Sequence, residues 1–225
     1  MVRVENLNMQ LEAGGHVVSV LKGLSFEIPK KQMVTIVGPS GSGKSTLLGL
    51  LAGLDKPTSG SIQLNGQEIT SWPEFELAHF RRENIGYIFQ SFHLIPTLTA
   101  LENVTLPLEL SGNSSANIRA CELLEAVGLK DRYNHYPTQL SGGEQQRVAV
   151  ARAFSCHPPI LLADEPTGNL DSVTGQIVID LLLTLNRNQG STLVLVTHDS
   201  KLAERTERII TLHDGTIVSD KNTTD

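Results

Sequence analysis

With 225 residues, 40% of them hydrophobic and 19% charged, the chain is long enough for one large α/β core with a smaller lobe inserted. Its net charge of −6 excludes an extended nucleic-acid-binding surface, which needs clustered Lys and Arg. Cys121 and Cys156, both in segments read as helices, have neither metal-ligand spacing nor a disulfide framework, which points to a reducing compartment; residues 1–6 lack the apolar core of a signal peptide, and no apolar run suggests a membrane span. Any service to a membrane is therefore expected to run through another chain.

Residues 2–11 and 17–28 read as strands, the second rich in β-branched residues and ended by Pro29-Lys30-Lys31-Gln32, and they are expected to form a partly antiparallel layer. Met33-Val34-Thr35-Ile36-Val37 is a short apolar strand that runs into Gly38-Pro39-Ser40-Gly41-Ser42-Gly43-Lys44-Ser45, and Thr46 opens an apolar helical segment to Leu54. Three glycines let the backbone wrap an anion with its N–H groups inward, while the helix behind presents its positive end. The pattern GxxxxGK[ST] is complete. Residues 38–46 are expected to cradle a phosphate chain, with Lys44 on the outer phosphates and the Ser45 hydroxyl on a magnesium ion.

Residues 55–60 form a turn cluster, and 61–64 followed by Asn65-Gly66 predict a hairpin. Ser71 with Glu74 reads as a capping box for a helix through Arg82, and 85–89 as a buried strand ending at Gln90. From 91 to 138 the character turns helical: Thr99 with Glu102 starts one helix, and Ser114-Ser115 another that Gly128 closes. Ser141 with Glu144 is a further capping box, for a helix through Phe154. The two glycines in its first turn, Gly142 and Gly143, cost about 1 kcal/mol each against alanine. That cost makes sense where a phosphate approaches the backbone closely, so the cap and phosphate readings hold together.

Residues 160–164 resume the sheet, 172–188 form an amphipathic helix with Val173, Ile177, Leu181 and Leu185 on one stripe, and Gly190 ends it. Residues 192–197 are a buried strand and 200–206 a short helix. Residues 208–213, turned by Asp214-Gly215, lead to a last strand at 216–218, and 220–225 read as a frayed tail.

Asp164 and Glu165 stand at the C-terminal end of an apolar strand, where open α/β sheets bind ligands. Successive strand residues point to opposite sides, which divides their work: Asp164 toward magnesium, mostly through water, and Glu165 toward the attacking water as general base. His198 follows a buried strand directly and precedes Asp199, a position that favours catalysis over an ordinary loop histidine. Ser141 to Gly143 lie a helical insertion away from Lys44. A neighbouring subunit supplies them to the same nucleotide more simply than a fold-back of one chain.

In order, the phosphate loop, Gln90, Leu140-Ser141-Gly142-Gly143-Glu144-Gln145, Leu162-Ala163-Asp164-Glu165-Pro166, Asn169-Leu170-Asp171 and Thr197-His198-Asp199 resemble the nucleotide-binding domain of ABC ATPases over essentially the whole chain. The resemblance implies a P-loop NTPase core with an N-terminal antiparallel β layer and an inserted helical subdomain, as a single domain. Residues 1–90 and 158–225 would be the core and 91–157 the helical part, including the signature helix. It also implies ATP and Mg2+ as ligands and a head-to-tail homodimer. Each ATP would lie between residues 38–46 of one subunit and Ser141, Gly142, Gly143 and Asp171 of the other. Gln90 would contact magnesium and the attacking water, His198 would hold the γ-phosphate and position Glu165, and Asp171 would couple the two sites.

Phe89-Gln90-Ser91-Phe92-His93-Leu94-Ile95-Pro96-Thr97-Leu98 and Ala100-Leu101-Glu102-Asn103-Val104 resemble the LolD, MacB and FtsE group of that family. This implies an FtsX- or MacB-like permease partner on the inner face of the cytoplasmic membrane, and no nucleic acid. Core packing and docking of a permease helix explain Phe92, Leu94 and Ile95 equally. One departure concerns the base: residues 8–16 contain no aromatic ring to stack on adenine, and Leu11 falls where such a ring belongs, with His16 as the alternative. A soluble ABC-type ATPase of nucleic-acid repair or translation would need coiled coils, zinc modules or a second cassette. A P-loop GTPase or kinase would leave residues 140–145 unexplained, and NKxD is absent.

Overall fold

The computed structural model describes residues 1–13 and 15–223. In chain order its elements are β1 (Val2–Ala13), β2 (His16–Ile28), β3 (Met33–Val37), α1 (Lys44–Leu51), β4 (Ser59–Leu64), β5 (Gln67–Glu68), α2 (Glu74–Asn84) and β6 (Ile85–Ile88). There follow α3 (Ala100–Leu110), α4 (Ala116–Ala126), 3-10 turns at Lys130–Arg132 and Pro137–Gln139, α5 (Gly142–Ala153), β7 (Ile160–Asp164), α6 (Ser172–Gln189), β8 (Thr192–Thr197), α7 (Ser200–Ala203), β9 (Arg208–His213) and β10 (Thr216–Asn222). They group into two compact units, Met1–Arg81 with Thr192–Asp225, and Arg82–Ser191.

The first unit holds an antiparallel sheet in the order β2-β1-β4-β5. Its apolar alternation decides which face is buried: Val2, Val4, Phe26, Ile28, Ile62 and Leu64 all point inward. Asn65 (φ 53°) and Gly66 (φ 83°) take the two left-handed positions that close the β4–β5 hairpin, as the Asn-Gly pair predicts. The same unit carries strands in the order β10-β9-β3-β8, with β3 parallel to β8 and β9. Val34, Ile36 and residues 193–196 are wholly buried, the near-continuous apolar run of a parallel strand covered on both faces. In the β3–β8 register Val37 faces Thr197, so Gly38 and His198 leave the strands side by side.

In the second unit β6 runs parallel to β7 with Ile88 opposite Ala163, and α5 packs on β6, α3, α4 and α6. Both predicted capping boxes that start α3 and α5 are formed, at Thr99–Glu102 and Ser141–Glu144. Gly128 (φ 72°) follows α4 as expected, although Ser115 makes no side-chain cap there. This unit contains β6, β7 and α6 together with the helices expected as an insertion. Among the described residues no helix is long and apolar enough to cross a membrane.

Several local expectations give way to tertiary partners. α1 starts at Lys44 and not Thr46, because Gly43 (φ 96°) already turns the chain into the helix. α2 starts at Glu74, after Pro73; the Glu74 carboxylate goes to Arg81 and not back toward Ser71. α6 buries Gly175, Val178, Ile179, Leu182, Leu183 and Asn186, while Val173 and Ile177 are exposed, so the stripe read from the sequence is not the core face. α7 stops at Ala203, and Thr206 is buried, its hydroxyl 2.8 Å from that of Thr35 and donating to Ala203 O. β10 continues to Asn222 because Arg208 grips Asp220 through two bonds of 2.6 Å; Thr224 and Asp225 lie outside the described residues. Cys156 lies in the turn after α5, outside the helix.

Candidate functional site

The start of α1 is built to be completed by an anion. Gly41 and Gly43 have φ of 80° and 96°, Gly43 occupies the N-cap, no side chain caps the first turn and no acidic residue sits in it. Its N–H groups and the positive end of the helix dipole are therefore left to a ligand. Gly43 cannot be larger for a second reason: a Cβ there would lie 2.6 Å from Leu21 Cδ2 and 3.0 Å from Val20 O. The Lys44 ammonium folds across the loop and donates to Gly38 O and Pro39 O, each at 2.9 Å. The Ser42 hydroxyl is buried without a hydrogen-bond partner. A chain of phosphate oxygens fits this set of donors: it would take the ammonium from two carbonyls and give the buried Ser42 hydroxyl a partner. Ser45 is exposed at the helix start, and His198 is exposed beside the loop at the end of β8, as the register requires. Leu11 is 45% exposed and pairs across the β1–β2 hairpin with Val18, and His16 is exposed at the hairpin end.

In the second unit the parallel ends of β6 and β7 bring Gln90 and Glu165 to the same level, each two residues beyond the paired Ile88 and Ala163. Asp164 ends β7 in extended conformation, whereas Glu165 has φ 41°. A left-handed backbone at a residue other than glycine costs about 1–3 kcal/mol and is found where a site needs the turn. The segment that follows fastens Gln90. Asn169 Nδ2 donates to Gln90 O at 2.9 Å, and a Cβ on Gly168 would lie 2.7 Å from Gln90 Nε2. Gly168 N in turn donates to Glu165 O at 2.9 Å.

The start of α5 differs from that of α1. Ser141 Oγ accepts from Glu144 N at 3.3 Å, and Glu144 Oε2 accepts from Ser141 N at 2.9 Å. The other Glu144 oxygen accepts from Arg132 Nε at 3.0 Å. Hydrogen bonds from the Ser141 backbone, then from its side chain and Arg132, hold the Glu144 carboxyl below the ordinary carboxylate range. The two signature glycines have separate reasons. Gly143 is buried, and a Cβ on it would overlap Thr174 Cγ2 of α6, so close helix packing requires glycine there whatever binds nearby. Gly142 has ordinary room, with Leu170 Cδ2 at 3.5 Å and Phe92 Cζ at 3.7 Å from an added Cβ. Asp171 is the N-cap of α6; bonds from the Thr174 side chain and N–H and from the Val173 N–H lower its pKa.

Three residues that sequence reasoning passed over hold this arrangement. Gln146 is wholly buried and donates to Pro166 O at 2.7 Å and, more weakly, to Phe89 O at 3.4 Å. Arg152 donates to Phe92 O at 2.9 Å and His93 O at 2.6 Å, and burial lowers its pKa. Asn169 appeared only within a motif. The signal for Gln146 was a carboxamide at the core-facing position between Gly143 and Val150. Phe92 (φ 59°) and His93 (φ 49°) are both left-handed, and the His93 ring stacks on Phe89 at 4.4 Å. Phe92 and Leu94 are half-buried and Ile95 is 38% exposed, so the loop is neither core nor free surface.

An uncapped glycine loop with its lysine, a carboxylate pair split by a left-handed turn, and a serine-capped glycine helix define an ATP-binding cassette, and the chain belongs to the ABC transporter family, whose model matches residues 21–168. It is an ABC-type ATPase and the ATP-binding subunit of an ABC transporter. Among its relatives, the uncharacterized ABC transporter ATP-binding protein YbbA of Escherichia coli (strain K12) is 51% identical over 96% of this chain and 95% of that protein. The lipoprotein-releasing system ATP-binding protein LolD of Syntrophus aciditrophicus (strain SB) is 49% identical over 97% and 99%. The fold superposes on the dimeric, post-hydrolysis ATP-binding cassette MJ0796 bound to ADP and Pi with a TM-score of 0.92 and 44% identity, covering 99% of both chains.

Proposed function

We propose that the chain works as a head-to-tail homodimer that closes on two ATP molecules and drives an FtsX- or MacB-like permease from the inner face of the cytoplasmic membrane. Residues 38–46 hold the phosphates, Ser141 with the N–H groups of Gly142 and Gly143 receives the γ-phosphate of the partner's nucleotide, and Asp171 couples the two sites. Ser45, Gln90 and Asp164 offer a hydroxyl, a carboxamide and a carboxylate, the hard oxygen donors that magnesium prefers with waters completing its shell. These residues would hold magnesium, which would supply positive charge to the phosphates. Glu165 takes the proton of the attacking water as its oxygen bonds to the γ-phosphorus and the bond to the β-phosphate oxygen breaks. Gln90 orients that water, and His198 holds the γ-phosphate.

The observation that carries this reading is the open start of α1, where Lys44 rests on the loop's own carbonyls and no side chain caps the helix. The dimeric state of the similar cassette supports the pairing, and the LolD relative supports a membrane partner. The test is Glu165→Gln. It should retain ATP binding, lose roughly 10²-fold or more in turnover and accumulate as a dimer in ATP, read by light scattering. Hydrolysis at the wild-type rate would overturn the general-base role. Recovery of an FtsX-like subunit with the tagged chain from detergent-solubilised membranes tests the partner; recovery of nucleic acid or ribosomes instead would overturn it.

A further inference from the structure

We propose that Gln146 is a positioning residue for ATP hydrolysis: one buried carboxamide on the signature helix ties down the backbone on either side of the reacting groups, next to Glu165 and next to Gln90. The inference rests on the reading of Glu165 as general base and Gln90 as its water-orienting partner.

Gln146 lies in α5 and is wholly buried. Its Nε2 donates to Pro166 O at 2.7 Å, the carbonyl directly after Glu165, and reaches Phe89 O at 3.4 Å, the carbonyl directly before Gln90. Its Oε1 is buried with no hydrogen-bond partner. A buried carboxamide left half satisfied is unfavourable compared with an apolar side chain of the same shape. The residue is thus explained by what its N–H groups hold and not by packing.

What it holds is a turn tied at several further points. Glu165 is at φ 41°, and Gly168 N, Asn169 and the space above Gly168 connect the same turn to Glu165 O and to Gln90. The turn carrying the base and the loop carrying Gln90 are therefore one structure with the Gln146 amide at its root. Arg152, further along the same helix, holds the far end of that loop through Phe92 O and His93 O. A side chain on the helix that begins at Ser141 thereby sets where the general base stands, which places the base and the phosphate-facing helix start in one rigid frame.

Gln146→Met keeps the length and fills the space but donates nothing; Gln146→His keeps one N–H at a similar reach. In the full-length chain the Met variant should unfold within a few degrees of wild type and keep KM for ATP within about twofold, while kcat falls roughly tenfold to a hundredfold, the cost of small misplacement at a reacting centre. The His variant should regain a measurable part of kcat. A folded Met variant with wild-type kcat overturns the proposal. So does a loss shared equally by Met and His, or failure of both to fold, each of which assigns Gln146 to packing. Glu165→Gln measured alongside separates the two levels: if it still turns over at the wild-type rate, the general-base reading fails, whereas its inactivity beside an active Gln146→Met removes only the role of Gln146.

Discussion

Two helices of this chain begin at glycines, α1 behind a glycine loop and α5 with Gly142 and Gly143 in its own first turn, and they solve the same physical problem in opposite ways. The first N–H groups of any α-helix lack partners. At α1 no side chain among the described residues supplies a cap: Gly43 is the N-cap, no acid lies in the first turn, and Lys44 is parked on two carbonyls of the loop. At α5 the chain supplies everything, with the Ser141 hydroxyl, the Glu144 carboxylate and Arg132 forming a closed set. An open end leaves its N–H groups to a ligand, whereas a self-capped end has met its own first. If the start of α5 meets the partner's nucleotide as proposed, it suits a contact made and released in each cycle.

Nucleotide binding gives the largest measurable contrast. At a hundredfold excess over its Kd a ligand stabilises the folded chain by about 2.7 kcal/mol. Lys44→Ala should abolish most of that shift with ADP, whereas Ser141→Ala should leave it in place, both read by thermal unfolding. Equal losses would break the comparison. Next in size, Gly143→Ala should destabilise the chain by about 1–3 kcal/mol in denaturant through its overlap with Thr174. Gly142→Ala has room for its methyl and should fold as stably as wild type, yet lower turnover if a phosphate meets that backbone. Ser141→Ala should cost about 1 kcal/mol as a lost helix cap.

The smallest effect is in pH. Glu144 is held below its unfolded pKa of about 4.3. The stability it contributes is therefore fully present above that value and is lost as pH falls through the folded pKa. The stability difference between wild type and Glu144→Gln should shrink as pH is lowered from about 5 to 3. A difference that stays constant would mean that the bonds to the carboxylate, from the Ser141 backbone first and from Arg132 after it, contribute nothing.

Much of the fold was legible because its signals are local. The Thr99–Glu102 and Ser141–Glu144 boxes and the Asn65-Gly66 turn close within four residues, and each formed as read. The failures were places where a distant group competed. Ser71–Glu74 has the right spacing, yet Arg81 takes the carboxylate. Residues 220–222 are polar enough to look frayed, and Arg208 brings Asp220 into β10. α6 has apolar residues on two faces, and periodicity alone cannot choose between Val173 with Ile177 and Val178 with Leu182.

The site divides along the same line. The glycine loop with its lysine and the acidic pair at the end of β7 were legible as features, since each is made by neighbours in the chain, whereas the role proposed for Gln90 rests on the family resemblance. Only the tertiary structure decided that Gly143 is glycine for Thr174, that Glu165 takes a left-handed backbone, that Asn169 clasps Gln90 across 79 positions, and that Gln146 holds Pro166 across 20. Those partners are chosen by burial, and what a buried donor meets depends on which elements close over it, not on the residues beside it in sequence.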